Sequence, residues 1–370
     1  MGKADMTHYE RAAQEKLDAI RQKERVRILA IETSCDETAA AVVENGRTVL
    51  SNAVHTQIPL HVPFGGVVPE IASRSHVQKI GSVVRLALDQ ANLTLGELDA
   101  IAVTNGPGLV GALLVGLSYA KGLAYASGLP FLGVHHIASH IAANYLTYPT
   151  LEPPFTCLVA SGGHSHIILV EDYDRYRLIG HTRDDAAGEA FDKVARVLGL
   201  SYPGGPNLEA LAREGDPTRY RFRSAFNEGD GFDFSFSGIK TAVVNRLHNA
   251  EQAGETVNRA DLAASFQKTV VDILAEKSVR AAQAQAGEAG KKLALAGGVS
   301  ANRALREAME QRAAAAGVAF YCPDFAYCTD NAAMVGSAAY GKLLRGQTDS
   351  FALNAVPYLS IEESMETNVQ

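Results

Sequence analysis

His136 and His140 stand four apart in the run Val134 to His140, directly after the apolar Pro130 to Gly133. That order fits a buried strand running into a helix, and on a helix residues four apart share a face. Both imidazoles can then reach one metal ion, while His135 points elsewhere. A hydrogen-bonded core histidine is the plainer reading of either ring. Two histidines leave a metal site incomplete, so a third ligand has to come from a distant part of the chain. Asp330, at the start of the last helix, is the best-placed carboxylate, although an acid there also serves as a helix N-cap.

Two further groups of residues are suited to anions. Glu32, Thr33, Ser34, Cys35, Asp36, Glu37 and Thr38 close an apolar strand with hydroxyls and carboxylates, and a second strand follows at once. Such a tip can hold a nucleotide phosphate and its metal, or be a polar hairpin turn. Ala160, Ser161, Gly162, Gly163 and His164 end another apolar strand with backbone donors exposed by the glycines, although His164 also suits plain turn packing. Residues 99–110 and 292–302 each read as strand, glycine turn and helix, an anion-binding order that fits neither the Walker pattern nor the dinucleotide fingerprint. Arg219, Tyr220, Arg221, Phe222 and Arg223 alternate charge with aromatic, as RNA contacts do and as a charged edge strand does. Phe232 to Lys240 alternates aromatic with serine and reads as a strand lining a cavity wall.

The elements that position these groups form an α/β pattern given twice. Residues 26–54 read as three strands with an Asn45-Gly46 hairpin, and residues 156–181 again read as three strands with a polar first turn. The expected division is an N-terminal helical extension over 1–25, a first half over 26–150, a second half with a helical insertion over 151–345, and a tail over 346–370. At 370 residues there is room for two cores. A net charge of −7 argues against gripping nucleic acid by general electrostatics, so RNA contact needs a local patch or a partner. Four scattered cysteines without close pairing indicate reduced thiols in a cytoplasmic protein. The charged N-terminus lacks a signal-peptide core, and the apolar run 108–129 is broken by Lys121, so no membrane span is expected.

Duplicated halves with polar hairpins and glycine turns resemble the actin, hexokinase and Hsp70 ATPase superfamily (ASKHA), built from two ribonuclease-H-like halves with the active cleft between them. More narrowly, the words at 31–38, 65–70, 161–164, 185–193, 202–206, 236–241, 296–302 and 328–334 resemble the TsaD family (older labels Gcp and YgjD), in its bacterial branch. That resemblance implies transfer of the threonylcarbamoyl group from threonylcarbamoyl-AMP to the exocyclic amine of the adenosine just 3′ of the anticodon. The tRNAs are those that read ANN codons, and AMP is released. It implies His136, His140 and Asp330 as ligands of one divalent ion, Fe(2+) first and Zn(2+) second. Ala160, Ser161, Gly162, Gly163 and His164 would cradle the acyl phosphate, with His164 polarising the carbonyl. Asp192, Gly205 and Asn302 would take the adenylate, Glu209 the ribose, and Asp36 or Glu37 the amine proton. The implied partners are tRNA, a TsaB-like paralogue, a TsaE-like ATPase and a TsaC-type enzyme that makes the adenylate. One departure stands out: Ala138 occupies the place of the family's glutamate, which leaves the histidine segment without an acidic neighbour.

Three rival readings carry different expectations. A kinase on the same fold needs a cleft aspartate and magnesium-ATP, and leaves the histidine pair unexplained. A zinc metallopeptidase needs a glutamate beside the first histidine, where Ile137 stands. A scaffold without chemistry should have lost the metal residues.

Overall fold

The computed structural model describes residues 7–20, 22–224 and 226–362; the outer ends of the expected extension and tail lie outside the described residues. After α1 (His8–Ile20) come β1 (Arg27–Glu32), β2 (Glu37–Glu44) and β3 (Thr48–Thr56), then the short α2 (Ile58–His61) and the long α3 (Pro69–Ala91). β4 (Ala100–Gly106), α4 (Val110–Ser127), β5 (Phe131–His135) and α5 (His136–Thr147) follow. These strands form one sheet in the order β3-β2-β1-β4-β5. β1 to β3 pair antiparallel, and β4 and β5 add in parallel. β4 is buried at every position, which is why it reads as a continuous apolar run. The hairpin between β2 and β3 has both Asn45 and Gly46 at positive φ, 54° and 64°, as the Asn-Gly pair requires.

The second sheet repeats this plan. β6 (Phe155–Ala160), β7 (Ser165–Asp172) and β8 (Arg175–His181) are followed by α6 (Ala187–Val197), α7 (Gly204–Ala212), α8 (Ser237–Ala253) and α9 (Arg259–Gln283). β9 (Lys292–Ala296), α10 (Arg303–Ala315), β10 (Ala319–Tyr321) and α11 (Ala332–Leu344) complete it. The order β10-β9-β6-β7-β8 matches the first sheet strand for strand, with β6–β7–β8 antiparallel and β9 and β10 parallel. The molecule is thus an α/β protein of two like halves.

The helices that end each half are exchanged. Ile137, Ala138, Ile141 and Tyr145 of α5 pack with Phe155, Cys157 and Val159 of the second sheet. Ala332, Ala333, Met334 and Val335 of α11 pack with Ile28, Ala30 and Val43 of the first. α5 and α11 also lie against each other. The exchange therefore brings the beginnings of both helices to the junction of the halves.

Three local expectations are corrected. Residues 232–240 are no strand: only a Thr182–Phe234 bridge forms, and Ser237 opens α8. Phe234 and Phe236 are fully buried with rings 5.8 Å apart, so the alternation feeds the core and lines no cavity. Arg219 to Arg223 form no edge strand but an irregular segment. The turn at 106–108 is filled: a Cβ on Gly108 would meet Ser34 O at 2.7 Å, and one on Gly106 would meet Val356 O at 2.2 Å. It offers no cradle for an anion.

Candidate functional site

α5 begins immediately after β5, so its first residue, His136, is aimed by the strand. His135 is the N-cap: its Nδ1 accepts from Ile137 N at 3.1 Å, and its Nε2 donates to Leu359 O at 3.1 Å. That takes His135 out of the site. One turn of helix brings the His136 and His140 rings to 4.7 Å. Asp330 lies just before α11, whose N-cap is its neighbour Asn331, accepting from Met334 N at 3.1 Å. The capping alternative is thereby corrected, and the Asp330 carboxylate is left for the histidines. It stands 3.1 Å from His140 Nε2 and 3.7 Å from His136 Nε2. One ligand atom from each of the three residues lies within 4.8 Å of the others.

These residues fit a metal ion. His140 is buried: among the described residues its Nδ1 has no hydrogen-bond partner, and its Nε2 faces the Asp330 carboxylate at 3.1 Å without hydrogen-bond geometry. An orphaned buried nitrogen costs about 1–3 kcal/mol unless something coordinates it. Two imidazoles and one carboxylate make a donor set for a divalent ion that keeps positions open to substrate.

Sequence reasoning placed Glu32 only in the polar hairpin tip and missed its role beside the histidines, as the fully buried last residue of β1. Its Oε2 accepts from Thr104 Oγ1 at 2.6 Å and lies 3.3 Å from His136 Nδ1, while its Oε1 accepts from Ser34 N at 2.5 Å. Ala138 therefore does not leave the histidines without an acid: the carboxylate comes from the facing strand. Its signal was the lone acid ending an apolar strand. Burial opposes charge on His136, but Asp330 and Glu32 outweigh it and raise the ring to about 9. Burial likewise opposes ionisation of Asp330, and the two histidines outweigh it, holding the carboxyl at about 2.

The first hairpin tip faces the second half. Asp36 Oδ2 accepts from Tyr202 O–H at 3.2 Å. Glu37 Oε1 accepts from Thr56 Oγ1 at 3.3 Å; burial first, then the Asp330 and Asp36 carboxylates, push its carboxyl up to about 10. On the opposite strand, Ala160 ends β6 and the Ser161–His164 loop closes on itself, with Ser161 N donating to His164 O at 2.8 Å. The α positions of Gly162 and Gly163 border open space. Gly188, at the start of α6, is required by close approach: a Cβ there would lie 2.6 Å from Ser161 O. Burial, then the His166 and His136 rings, depress His164 to about 3, so it is neutral.

A separate cavity of about 160 Å³ gathers Gly162, Asp192, Gly205, Glu209 and Asn302. Asp192 Oδ1 accepts from Gly205 N at 3.0 Å. Asn302 caps α10, accepting from Leu305 N at 3.0 Å, and donates to Gln267 Oε1 at 2.9 Å, so Gln267 is a second residue the sequence did not reveal. Glu209 Oε1 accepts from Arg213 at 2.8 Å and Arg303 N at 3.2 Å. Ala160, Ser161 and His164 stand outside this cavity's lining, and the metal residues form their own cluster. A larger cavity of about 580 Å³ lies around His135 and Lys342, whose polar groups are spent on Leu359 O and Gly133 O.

The sequence model for tRNA N6-adenosine threonylcarbamoyltransferase, TsaD, matches residues 48–337. A relative of that description from Caldicellulosiruptor saccharolyticus is 55% identical over 340 residues, covering 92% of this chain and 99% of its own. One from Clostridium perfringens is 54% identical over 336 residues, covering 91% and 98%. Among solved structures, HypF of T. kodakarensis aligns with a TM-score of 0.57 at 15% identity, over 87% of this chain and 48% of its own. Component A of (R)-2-hydroxyglutaryl-CoA dehydratase from Acidaminococcus fermentans gives 0.53 at 15% identity, over 86% and 99%. The two structures show the fold alone.

Proposed function

The chain belongs to the TsaD family of tRNA N6-adenosine threonylcarbamoyltransferases, and from that premise we propose how its residues carry the reaction. The exocyclic amine of the adenosine just 3′ of the anticodon, in tRNAs reading ANN codons, attacks the carbamoyl carbon of threonylcarbamoyl-AMP. A C–N bond forms, the bond from that carbon to the phosphate oxygen breaks, AMP leaves as an anion, and the amine gives up one proton. The observation that carries this reading is the His136, His140 and Asp330 cluster beside two facing polar tips.

The family implies a divalent metal, and the three residues fit one; we propose Fe(2+), with Zn(2+) as the alternative. When bound, the ion would supply Lewis-acid stabilisation of charge on the departing phosphate. Ser161 to His164 orient the acyl phosphate, and neutral His164 offers a ring N–H to the carbonyl oxygen as charge grows there. Of the two candidates for taking the amine proton, Asp36 and Glu37, Asp36 is favoured. Glu37, with its carboxyl pushed up to about 10, already carries a proton at neutral pH, and the Tyr202 hydroxyl orients the Asp36 carboxylate. Asp192, Gly205 and Asn302 hold the adenylate, with Glu209 toward the ribose. The chain divides at 26–150 and 151–345, with 1–25 and 346–370 as extensions.

No helix among the described residues is long and apolar enough to cross a membrane, and a cytoplasmic setting suits a tRNA substrate. Exposed Val77, Leu86, Val110 and Leu114 on α3 and α4 support docking of a TsaB-like paralogue on the first half. A TsaE-like ATPase and a TsaC-type supplier of the adenylate complete the set.

Incubation with threonylcarbamoyl-AMP and an ANN-reading tRNA, with those partners present, should release AMP and add mass to one adenosine. Asp192→Ala should weaken adenylate binding, whereas His164→Ala should mainly slow transfer. Terminal-phosphate label from ATP appearing on a small-molecule acceptor would mean a kinase instead.

A further inference from the structure

Arg219, Arg221 and Arg223 play no part in the site above, yet all three side chains are exposed. Between them Tyr220 and Phe222 turn inward onto the core, their rings 6.3 Å apart and stacked at 24°. The segment is fixed to α9: Tyr220 N donates to Ser265 Oγ at 3.1 Å, and Asp216 N to Asp261 Oδ1 at 2.8 Å. Anchored aromatics thus hold a rail of guanidinium groups outward. In an extended chain, alternate residues are about 6–7 Å apart, a step comparable with successive phosphates of one strand.

What separates Arg221 and Arg223 from others nearby is the lack of counter-charge, whereas Arg219 has the Asp216 carboxylate close by. Arg213 pairs with Glu209, Arg246 with Glu255, and Lys268 and Arg312 both with Asp272. Among the described residues, the Arg221 and Arg223 side chains have no hydrogen bond or ion pair. Three residues on, Phe226 is 50% exposed with the Lys277 ammonium 5.8 Å from its ring. A groove of about 590 Å³ runs between this segment and α9, with Lys268, Thr269 and Asn227 in its wall. Glu228, Asp272 and Glu276 also line it, with Asp272 paired to Lys268 and Arg312, so the attraction sits on the arginine side.

A chain of net charge −7 repels a polyanion at long range, so RNA has to be gripped where cations are uncompensated. Guanidinium forks bind phosphate oxygens bidentately, and an exposed ring beside them gives a base a stacking platform. An acidic protein would satisfy the cations but leave the phenylalanine without use. The segment also leads toward the reaction centre. Asp233 binds Arg183 at 2.7 Å and Ser235 binds Asp184 at 2.5 Å, and the chain from Asp184 enters α6, where Gly188 abuts Ser161.

We infer that Arg219, Arg221, Arg223 and Phe226 form an RNA-binding strip that holds the sugar–phosphate backbone of the tRNA while one adenosine enters the cleft. This rests on the tRNA-modifying reading. The test is fluorescence polarisation of the full chain with an ANN-reading tRNA across a salt series, with adenylate binding measured in parallel. Arg221→Ala/Arg223→Ala should raise Kd about tenfold at low salt and flatten the log–log salt slope by about 0.7–0.9 per lost phosphate contact. Arg221→Lys/Arg223→Lys should recover most of the slope, Phe226→Ala should weaken binding without changing it, and adenylate affinity should stay at wild type. An unchanged Kd and slope in the alanine pair would overturn the strip. So would loss of a protein partner's binding with tRNA binding intact, which would make it a protein-docking surface. A wild-type chain that binds no tRNA on its own even at low salt would also overturn the strip, whereas no tRNA binding with its partners present would overturn the tRNA reading itself.

Discussion

A neutral histidine offers a metal only the nitrogen that carries no proton, and which one that is depends on what the other nitrogen touches. For His136 the neighbours of Nδ1 are the Glu32 carboxylate at 3.3 Å and Ser34 Oγ at 3.2 Å. An anion beside Nδ1 keeps the proton there and leaves Nε2 toward His140 and Asp330. Glu32 is itself held by Thr104 and the Ser34 backbone, so it cannot easily turn away. Glu32→Gln keeps the shape but removes the charge. It should weaken metal affinity by about 10- to 100-fold, read by competition with a chelator, with the fold intact by circular dichroism. The ¹⁵N shifts of His136 should show a loss of the Nδ1–H form. Wild-type metal affinity in that variant would reduce Glu32 to a packing role. His140→Ala, by contrast, should abolish loading.

At the scale of elements, the site depends on α5 and α11 having changed sheets. α11 comes close to the first sheet at Gly336, where a Cβ would lie 2.8 Å from Val43 Cγ2 and 3.3 Å from Ala30 Cβ. Replacing a mid-helix glycine with alanine favours the helix by about 0.8–1.0 kcal/mol. Overpacking a tight interface costs about 1–3 kcal/mol, so the clash should win. Gly336→Ala is therefore expected to lower stability in urea and, because α11 starts beside Asp330, to loosen metal binding as well. A variant more stable than wild type would show that the helix sits further from the sheet. The same scale explains the misread 232–240 stretch. Its Phe234 and Phe236 are both buried although they lie two apart, a strand-like signal produced by an irregular chain crossing the core.

The whole molecule carries an acid-sensitive balance. Burial, then the neighbouring histidines, depress His164 to about 3 and His166 to about 4, below the value near 6.5 of an unfolded chain. The unfolded chain therefore binds more protons between these values, and their contribution to stability, complete above about 6.5, is lost as pH falls toward 4. Glu37 works the other way: with its folded carboxyl near 10, its contribution is complete below the unfolded value and is lost as pH rises. Between about 4.5 and 6.5 three histidines, with His135 also held at about 3, oppose one glutamate. Above that range Glu37 and His136, the latter raised to about 9, both lose their contribution as pH rises. Urea unfolding of the metal-free protein should show greatest stability near pH 6.5. His166→Asn should flatten the acid side, and an unaltered acid side would place the sensitivity elsewhere.

The strand runs, the Asn45-Gly46 hairpin, the repeated three-strand opening and the i, i+4 histidines were legible in the sequence, because each depends on residues within a few positions of one another. The family's words were legible too, since they are local runs in a fixed order. Other features needed the tertiary structure: which nitrogen of His136 faces Asp330, Glu32 in place of the acid missing at Ala138, and Gln267 behind Asn302. The filled turn at Gly108 and the uncompensated arginines at 221 and 223 belong with these. Each is a contact, or a missing contact, between segments far apart in the chain. Such contacts are set by how helices seat on sheets and which ends they exchange, and no short-range periodicity encodes that.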